Sequence, residues 1–152
     1  MNIQQHLEKW HRFDSARGRL DPVEDFELWF WALSSAGTSI INAALHQQGI
    51  TDENRYFATQ MPDIYCVPDD KGMLRHAMGR RCDLIHVGIP EIDAPLPPDL
   101  QTAFAAMHQI EQYRNPCIRN VQPATPEVIA TCSDSYAQVM LAARAALGEA
   151  QP

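Results

Sequence analysis

Apolar residues recur at intervals of three and four along most of this chain, which is the period of an amphipathic α-helix. The longest such segment begins near Asp21 and Pro22 and continues to Gly49. Asp21 is a predicted N-cap, Pro22 suits the first helical position and Glu24 completes a capping box. One face of this second helix is apolar, and we expect it to be buried. It carries Phe26, Trp29, Phe30, Leu33, Ile40, Ile41, Ala44 and Leu45.

The same period predicts four further helices, at about residues 2–16, 73–87, 99–115 and 126–147. In the first, the inward stripe is Ile3, Leu7, Trp10 and Phe13. The third is interrupted by Gly79, which lowers helix propensity. The fifth is bounded by Thr125 as N-cap, Pro126 in the first turn and Gly148 at the end.

Residues 51–72 lack a helical period. The run Ile64-Tyr65-Cys66-Val67 predicts a short strand, and the Asp-Asp-Lys-Gly sequence at residues 69–72 predicts a turn after it. A small β-hairpin near residues 63–72 is therefore expected. Four prolines between residues 90 and 98 predict a stiff, extended connection. Taken together, these patterns predict one all-α domain over residues 1–152, built as a four- or five-helix bundle.

Composition and charge narrow the class of protein. A chain of 152 residues with 45% hydrophobic and 20% charged residues is typical of one folded domain, which excludes disordered, collagen-like and disulfide-scaffold proteins. The net charge of -7 disfavours broad binding to nucleic acid, although a local contact with RNA stays open.

We expect a cytoplasmic protein. The N-terminal residues are polar, as in a chain without a signal peptide. The longest strongly apolar run, residues 28–33, is short for a membrane span, which needs about 20 residues. The four cysteines contain no CxxC pair, and we interpret them as reduced thiols that act as small buried hydrophobes. They are Cys66, Cys82, Cys117 and Cys132.

Several common catalytic motifs are absent from the sequence. The seven glycines are dispersed, so neither a GxGxxG loop nor a P-loop is present. The sequence also lacks a GxSxG elbow and an HExxH helix. No cofactor is predicted.

Basic residues cluster between Arg75 and His86, and within this cluster Arg81 and His86 form an R-x4-H pattern. Together with the long aromatic second helix, this pattern resembles the HEPN superfamily of helical-bundle ribonucleases and toxins. The resemblance implies a dimer that cuts RNA without metal, in which Arg81 holds the phosphate and His86 transfers a proton or positions the 2′-OH. Guanidinium suits phosphate, and imidazole titrates near neutrality. The alternative is a solvated arginine and a histidine at a helix end.

A second hypothesis is a metal site. Glu8 and His11, and likewise Asp83 and His86, have the carboxylate-x-x-histidine spacing that places two ligands on one helical face. Carboxylate-bridged di-metal bundles combine two such pairs with single glutamates from two other helices. Glu27 and Glu111 are the candidates for those glutamates. The alternative is that all of these side chains lie on the surface.

The second helix also has a polar stripe, in addition to its apolar face. It consists of Trp31, Ser35, Thr38, Asn42 and His46. Such a stripe is explained by interior packing, by a partner subunit or by a pocket. If it is a pocket or an interface, Trp31, Asn42 and His46 are the residues expected to contact the ligand or partner. This helix has two faces and a row of aromatic residues that we do not expect one small subunit to cover completely, which predicts a homodimer.

The sequence therefore favours a cytoplasmic, self-associating binding or interaction module. Two alternatives from other classes remain. One is a HEPN-like, metal-independent endoribonuclease that uses Arg81 and His86. The other is a metal-binding bundle that uses Glu8, His11, Asp83 and His86.

Overall fold

The computed structural model describes residues 1–53, 57–58, 64–78, 83–84, 94–119 and 121–149. Within these ranges the chain forms four long helices, one short helix and a small antiparallel sheet. The predicted all-α bundle is confirmed. In chain order the elements are α1 (Ile3–Arg17), α2 (Phe26–Gln47), β1 (Phe57–Ala58), β2 (Ile64–Pro68), β3 (Leu74–Met78), α3 (Pro98–Glu111), α4 (Arg114–Ile118) and α5 (Pro126–Ala146).

The first helix, α1, starts at a capping box. The Asn2 side chain accepts a hydrogen bond from the backbone N–H of Gln5, and the Gln5 side chain accepts one from the backbone N–H of Asn2. These bonds satisfy backbone donors that the first helical turn leaves unpaired. The helix packs against α2 and buries His6 and Trp10, whereas Leu7 is only partly buried.

The second helix, α2, begins at Phe26, later than the predicted start at Pro22. Asp21 still caps this region, because its Oδ1 accepts hydrogen bonds from two backbone N–H groups of the turn that precedes the helix. The reciprocal bond does not involve Glu24 as predicted. Instead, Oδ2 of Asp25 accepts a hydrogen bond from the backbone N–H of Asp21.

The core of the bundle is organised around α2, which packs against α1, α3 and α5. Since α3 and α5 also pack against each other, their apolar faces and that of α2 join in one buried cluster. The largest fully buried apolar side chains are Phe30, Leu33, Ile40, Ile41, Leu45, Leu100, Met107, Ile110 and Val139. Five of these nine belong to α2.

The C-terminal half largely follows the predicted boundaries. The Thr125 side chain accepts a hydrogen bond from the Val128 N–H at the start of α5, and Gly148 beyond its end has a φ of 78°. The helix predicted at residues 99–115 corresponds to α3, which begins at Pro98 without a side-chain cap and ends at Glu111. Residues 114 and 115, at the end of the predicted segment, belong instead to the separate short helix α4.

The predicted β-hairpin is present, but it extends beyond the predicted residues 63–72 to Met78, and its second strand replaces part of a predicted helix. Strand β3 pairs with β2 in antiparallel register, so the helix predicted at residues 73–87 is wrong over residues 74–78. The turn is fixed by Asp69, whose Oδ1 accepts hydrogen bonds from the backbone N–H groups of Lys71 and Met73, and by Gly72 with a φ of 76°. Pairing across this turn satisfies the strand backbone without a helix.

By length and composition only, α2 is apolar enough to cross a membrane, which the short run at residues 28–33 did not indicate. Most of it is buried inside the bundle, as in a core helix. Its exposed large apolar side chains are Leu28 and Trp31. Since a single chain is described, the homodimer stays a prediction.

We predict that a large side chain at Gly37 disrupts the contact of α2 with α3 and α5. A Cβ atom here would lie 2.9 Å from Met107 Sδ and 3.7 Å from Val139 Cγ1. Gly37→Leu is therefore expected to lower the free energy of unfolding by about 2 kcal/mol, measured by urea denaturation. The matched change at the exposed Gly18 should shift it by less than about 0.5 kcal/mol. Equal stability of the two variants would contradict this packing.

Candidate functional site

A pocket of about 350 Å³ lies beside α1 and α2 and reaches the ends of α3 and α4. Its α2 wall contains four of the five residues of the polar stripe predicted from the sequence, all except His46, together with Ser34 and Ser39. The small side chains of this wall leave the volume open. The pocket is large enough for a small molecule. The lining residues are Met1, His6, Lys9, Trp31, Ser34, Ser35, Thr38, Ser39, Asn42, Asp83, Leu84, Glu111 and Arg114.

Two pocket residues, His6 and Asp83, belong to a group in which a partly buried carboxylate lies between two histidines. We name this group the Asp83 cluster: Asp83, His6 and His46. Asp83 Oδ1 lies 3.0 Å from His6 Nε2 and 3.0 Å from His46 Nε2. Asp83 Oδ2 accepts a hydrogen bond of 2.6 Å from the ammonium group of Met1. The His6 and His46 side chains are only 4% and 0% exposed, so these contacts form largely away from water.

The proton positions in the cluster follow from its hydrogen bonds. His46 Nδ1 lies 2.8 Å from the Thr51 hydroxyl oxygen. When Thr51 donates its hydroxyl proton to Nδ1, the ring proton of His46 is on Nε2, from which it is donated to Asp83. His6 also directs Nε2 at Asp83, so the carboxylate accepts a hydrogen bond from each ring.

Burial and hydrogen bonding oppose each other in setting the charges. Burial by itself raises the pKa of Asp83, but hydrogen bonds from His46, His6 and the Met1 ammonium group outweigh it and hold that pKa well below its usual range. Burial lowers the pKa of His6 and outweighs its contact with Asp83, which raises it. At neutral pH, Asp83 is therefore ionised and His6 is neutral.

Asn42 anchors the next residue of the same segment. Its side-chain nitrogen donates to the Leu84 carbonyl oxygen at 2.9 Å, and its side-chain oxygen accepts from the Leu84 N–H at 2.7 Å. The same nitrogen also donates to the Thr38 carbonyl oxygen. With these bonds made, Asn42 holds the backbone against α2 instead of offering its amide to a ligand.

Three other pocket residues, Ser34, His6 and Lys9, each have a polar atom without a partner among the described residues. Among the described residues, three buried side-chain nitrogen or oxygen atoms lack a hydrogen bond, and two of them, Ser34 Oγ and His6 Nδ1, belong to pocket residues. Lys9 also lines the pocket, and its ammonium group has no ion pair or hydrogen bond with a described residue. Buried polar atoms are nearly always hydrogen-bonded, so Ser34 Oγ and His6 Nδ1 are two exceptions within the residues that line the pocket.

An aromatic wall borders the pocket near the junction of α3 and α4. Trp31 is 37% exposed, and the guanidinium carbon of Arg114 lies 5.5 Å from its ring centroid. Glu111 lines the same pocket. This border combines an apolar ring with charged groups of both signs.

The three residues predicted to contact a ligand or partner lie in or beside this pocket. Trp31 and Asn42 line it, whereas His46 does not line it and contacts Asp83. The sequence analysis placed His46 in a ligand site and Asp83 in a separate metal site, and it did not select His6. The predicted inward face of α1 contained Leu7 and not His6. His6 is nevertheless four positions before the buried Trp10, so the helical period places both on one face.

The predicted metal set is not assembled among the described residues. Glu8 and His11 are exposed on α1, and Asp83 instead contacts His6 and His46. Asp83 does not lie on a helix, so the spacing that was expected to place it beside His86 on a helical face does not apply. Of the two additional glutamates, Glu27 is exposed and Glu111 lines the pocket.

Arg81 and His86, the candidate catalytic pair, lie outside the described residues, as does Cys82. Their roles stay predictions. Of the other cysteines, Cys117 and Cys132 are buried and Cys66 is partly exposed, all as free thiols. Burial, with a contribution from the nearby Cys117, raises the pKa of Cys132 to about 12, which makes it an unreactive thiol at neutral pH.

Comparison of the chain with protein-family models, curated proteins and solved structures finds no match. The function is therefore inferred from the chemistry of the pocket.

We predict that the buried His6 makes chelator-treated protein less stable in mild acid. As the pH falls from about 7 to about 5, the unfolded chain protonates His6 near its ordinary pKa of 6.5, whereas the folded chain does so only at lower pH. Stability is thus lost over this range, by at most about 1.4 kcal/mol per pH unit for one group. The lowered pKa of Asp83 adds a further loss below about pH 4.

Urea unfolding at several pH values measures this effect. His6→Gln should give a flatter profile than the wild type, whereas His11→Gln, at an exposed position of the same helix, should preserve the wild-type slope. If the stability of His6→Gln depended on pH as strongly as that of the wild type, this would show that folding does not lower the pKa of His6.

Proposed function

We propose that this protein is a binding module that takes a small organic anion in the pocket beside α1 and α2. The proposal rests on one observation: Lys9, Ser34 and His6 line the same pocket, and each offers a polar group without a partner among the described residues. Neighbouring atoms cover Ser34 Oγ and His6 Nδ1, so a ligand that satisfies all three groups requires small side-chain rotations at the pocket wall. The pocket volume of about 350 Å³ suits a metabolite-sized molecule.

The charge of the ligand is inferred from Lys9. The other cationic groups at the pocket already have interactions: the Met1 ammonium group binds Asp83, and Arg114 lies over the Trp31 ring. Lys9 is partly buried and has no anionic partner within the described part of the chain. A ligand carboxylate beside it gains a charge-assisted hydrogen bond, which is stronger than a neutral one.

The second feature of the ligand is inferred from His6. Since His6 carries its proton on Nε2, its Nδ1 is a hydrogen-bond acceptor and needs a donor. The Ser34 hydroxyl can either donate or accept. A hydroxyl group on the ligand is complementary to both, so the favoured class is a small hydroxycarboxylate.

We predict that hydroxycarboxylates bind at this pocket and that Lys9 contributes to their affinity. The probes are three pairs of acids that differ by a hydroxyl group: lactate and propionate, malate and succinate, and 4-hydroxybenzoate and benzoate. Binding is measured from amide chemical-shift changes in the full-length protein. At least one hydroxy acid should shift pocket resonances and bind more tightly than its partner without the hydroxyl.

Two lysine variants provide the control. Lys9→Ala should weaken binding by about 10- to 100-fold, the range for a lost hydrogen bond to a charged group. Lys71→Ala removes a lysine from the exposed hairpin turn and should leave binding unchanged. Equal affinity in the two variants, or no pocket shifts with any of the six acids, would contradict the proposal.

A further inference from the structure

We propose that the Asp83 cluster binds one divalent transition-metal ion and that zinc is the ion it suits best. The cluster provides two imidazole nitrogens and one carboxylate oxygen, which are ordinary zinc ligands in proteins. One ligand atom from each of the three residues lies within 4.8 Å of the others. This inference does not depend on the binding of an organic anion.

The two distances from the carboxylate to the histidines are close to those of a zinc site. Around a tetrahedral ion with bonds of about 2.0–2.1 Å, neighbouring ligand atoms are about 3.3 Å apart. Asp83 Oδ1 is 3.0 Å from Nε2 of each histidine. Small side-chain rotations would therefore open enough space for an ion between groups that already converge.

The surrounding contacts also resemble those of metal sites. A metal-bound histidine usually makes a hydrogen bond through its other ring nitrogen, which fixes the orientation of the ring. His46 has this contact, because Nδ1 lies 2.8 Å from Thr51 Oγ1. Asp83 is similarly oriented, since its Oδ2 is held by the Met1 ammonium group while Oδ1 faces the histidines.

Metal binding requires a proton to move on each ring. Nε2 of both histidines must become unprotonated in order to bind the ion, so each ring proton transfers through solvent to Nδ1. On His46 the new Nδ1–H would donate to the Thr51 oxygen, which can accept it. On His6 it would supply a donor at a nitrogen that is buried and has no partner among the described residues.

The cluster also leaves room for an exogenous ligand on the ion. Structural zinc sites usually have four protein ligands, whereas three protein ligands leave a position for water or another molecule. His6 and Asp83 line the pocket, so this position would be reachable from it. A hydroxyl group in the pocket suits either protonation state of His6 Nδ1, since it can both donate and accept.

The direct test is titration of the full-length protein, prepared without a polyhistidine tag and treated with chelator, with Zn²⁺ in a calorimeter and with Co²⁺ in a spectrophotometer. We expect one Zn²⁺ to bind per chain, and we expect bound Co²⁺ to show the visible absorption bands of a four-coordinate site. The hydrogen bonds to Asp83 already stabilise the cluster without metal, so the chelated protein should be folded. Absence of Zn²⁺ binding would overturn the proposal.

Variants identify the ligands. His6→Gln should weaken Zn²⁺ binding by at least about 100-fold, since even loss of an outer contact costs 10–100-fold. His11→Gln, at an exposed position of the same helix, should bind like the wild type. Equal affinities of these two variants would overturn the assignment of His6.

Two further variants keep the test independent of folding defects and of the organic anion. Thr51→Val retains all three ligands and removes only the hydroxyl at His46 Nδ1, so it should weaken Zn²⁺ binding by about 10- to 100-fold. An unchanged Zn²⁺ affinity in Thr51→Val would contradict the role of His46. Lys9→Ala should retain the wild-type Zn²⁺ affinity, so loss of anion binding and loss of metal binding can be distinguished.

Discussion

The carboxylate of Asp83 is largely removed from water and held by hydrogen bonds from His6, His46 and the Met1 ammonium group. Burying an ionised carboxylate costs several kcal/mol unless donors replace its hydration. Here the donors come from α1, α2 and Met1, two residues before α1, so the charge can be buried only when these parts of the chain are assembled. Together with the bonds between Asn42 and Leu84, this contact fixes part of the pocket wall and determines which polar groups face the pocket.

Helix signals that are local in sequence predicted most of the bundle. The cap at Thr125 and the glycine at 148 bound α5 because both act on backbone groups within one helical turn. The helix predicted at residues 73–87 was wrong over 74–78 because the turn at Asp69 and Gly72 pairs these residues with β2. Strand pairing depends on a second segment, and the period of one segment does not reveal it.

The site was predicted only in part, because some of its contacts are local in sequence and others join distant segments. Trp31, Asn42 and His46 share one stripe of α2, so the helical period alone brings them together. The contacts of Asp83 with His6 and His46 span 77 and 37 positions, and no local spacing encodes them. Asp83 was selected for its spacing from His86, but its observed partners come from other elements. The resemblance to HEPN proteins concerns Arg81 and His86, outside the described residues, and stays a prediction.

The most direct test of this account is nitrogen–proton NMR of the histidine rings in chelator-treated protein at slightly alkaline pH. We predict that His6 and His46 are fixed as Nε2–H tautomers with slowly exchanging ring protons, and that Asp83→Asn abolishes this protection. The exposed His11 should instead average between its tautomers. Tautomer averaging in His6 and His46 of the wild type would contradict the buried carboxylate–histidine contact on which the pocket depends.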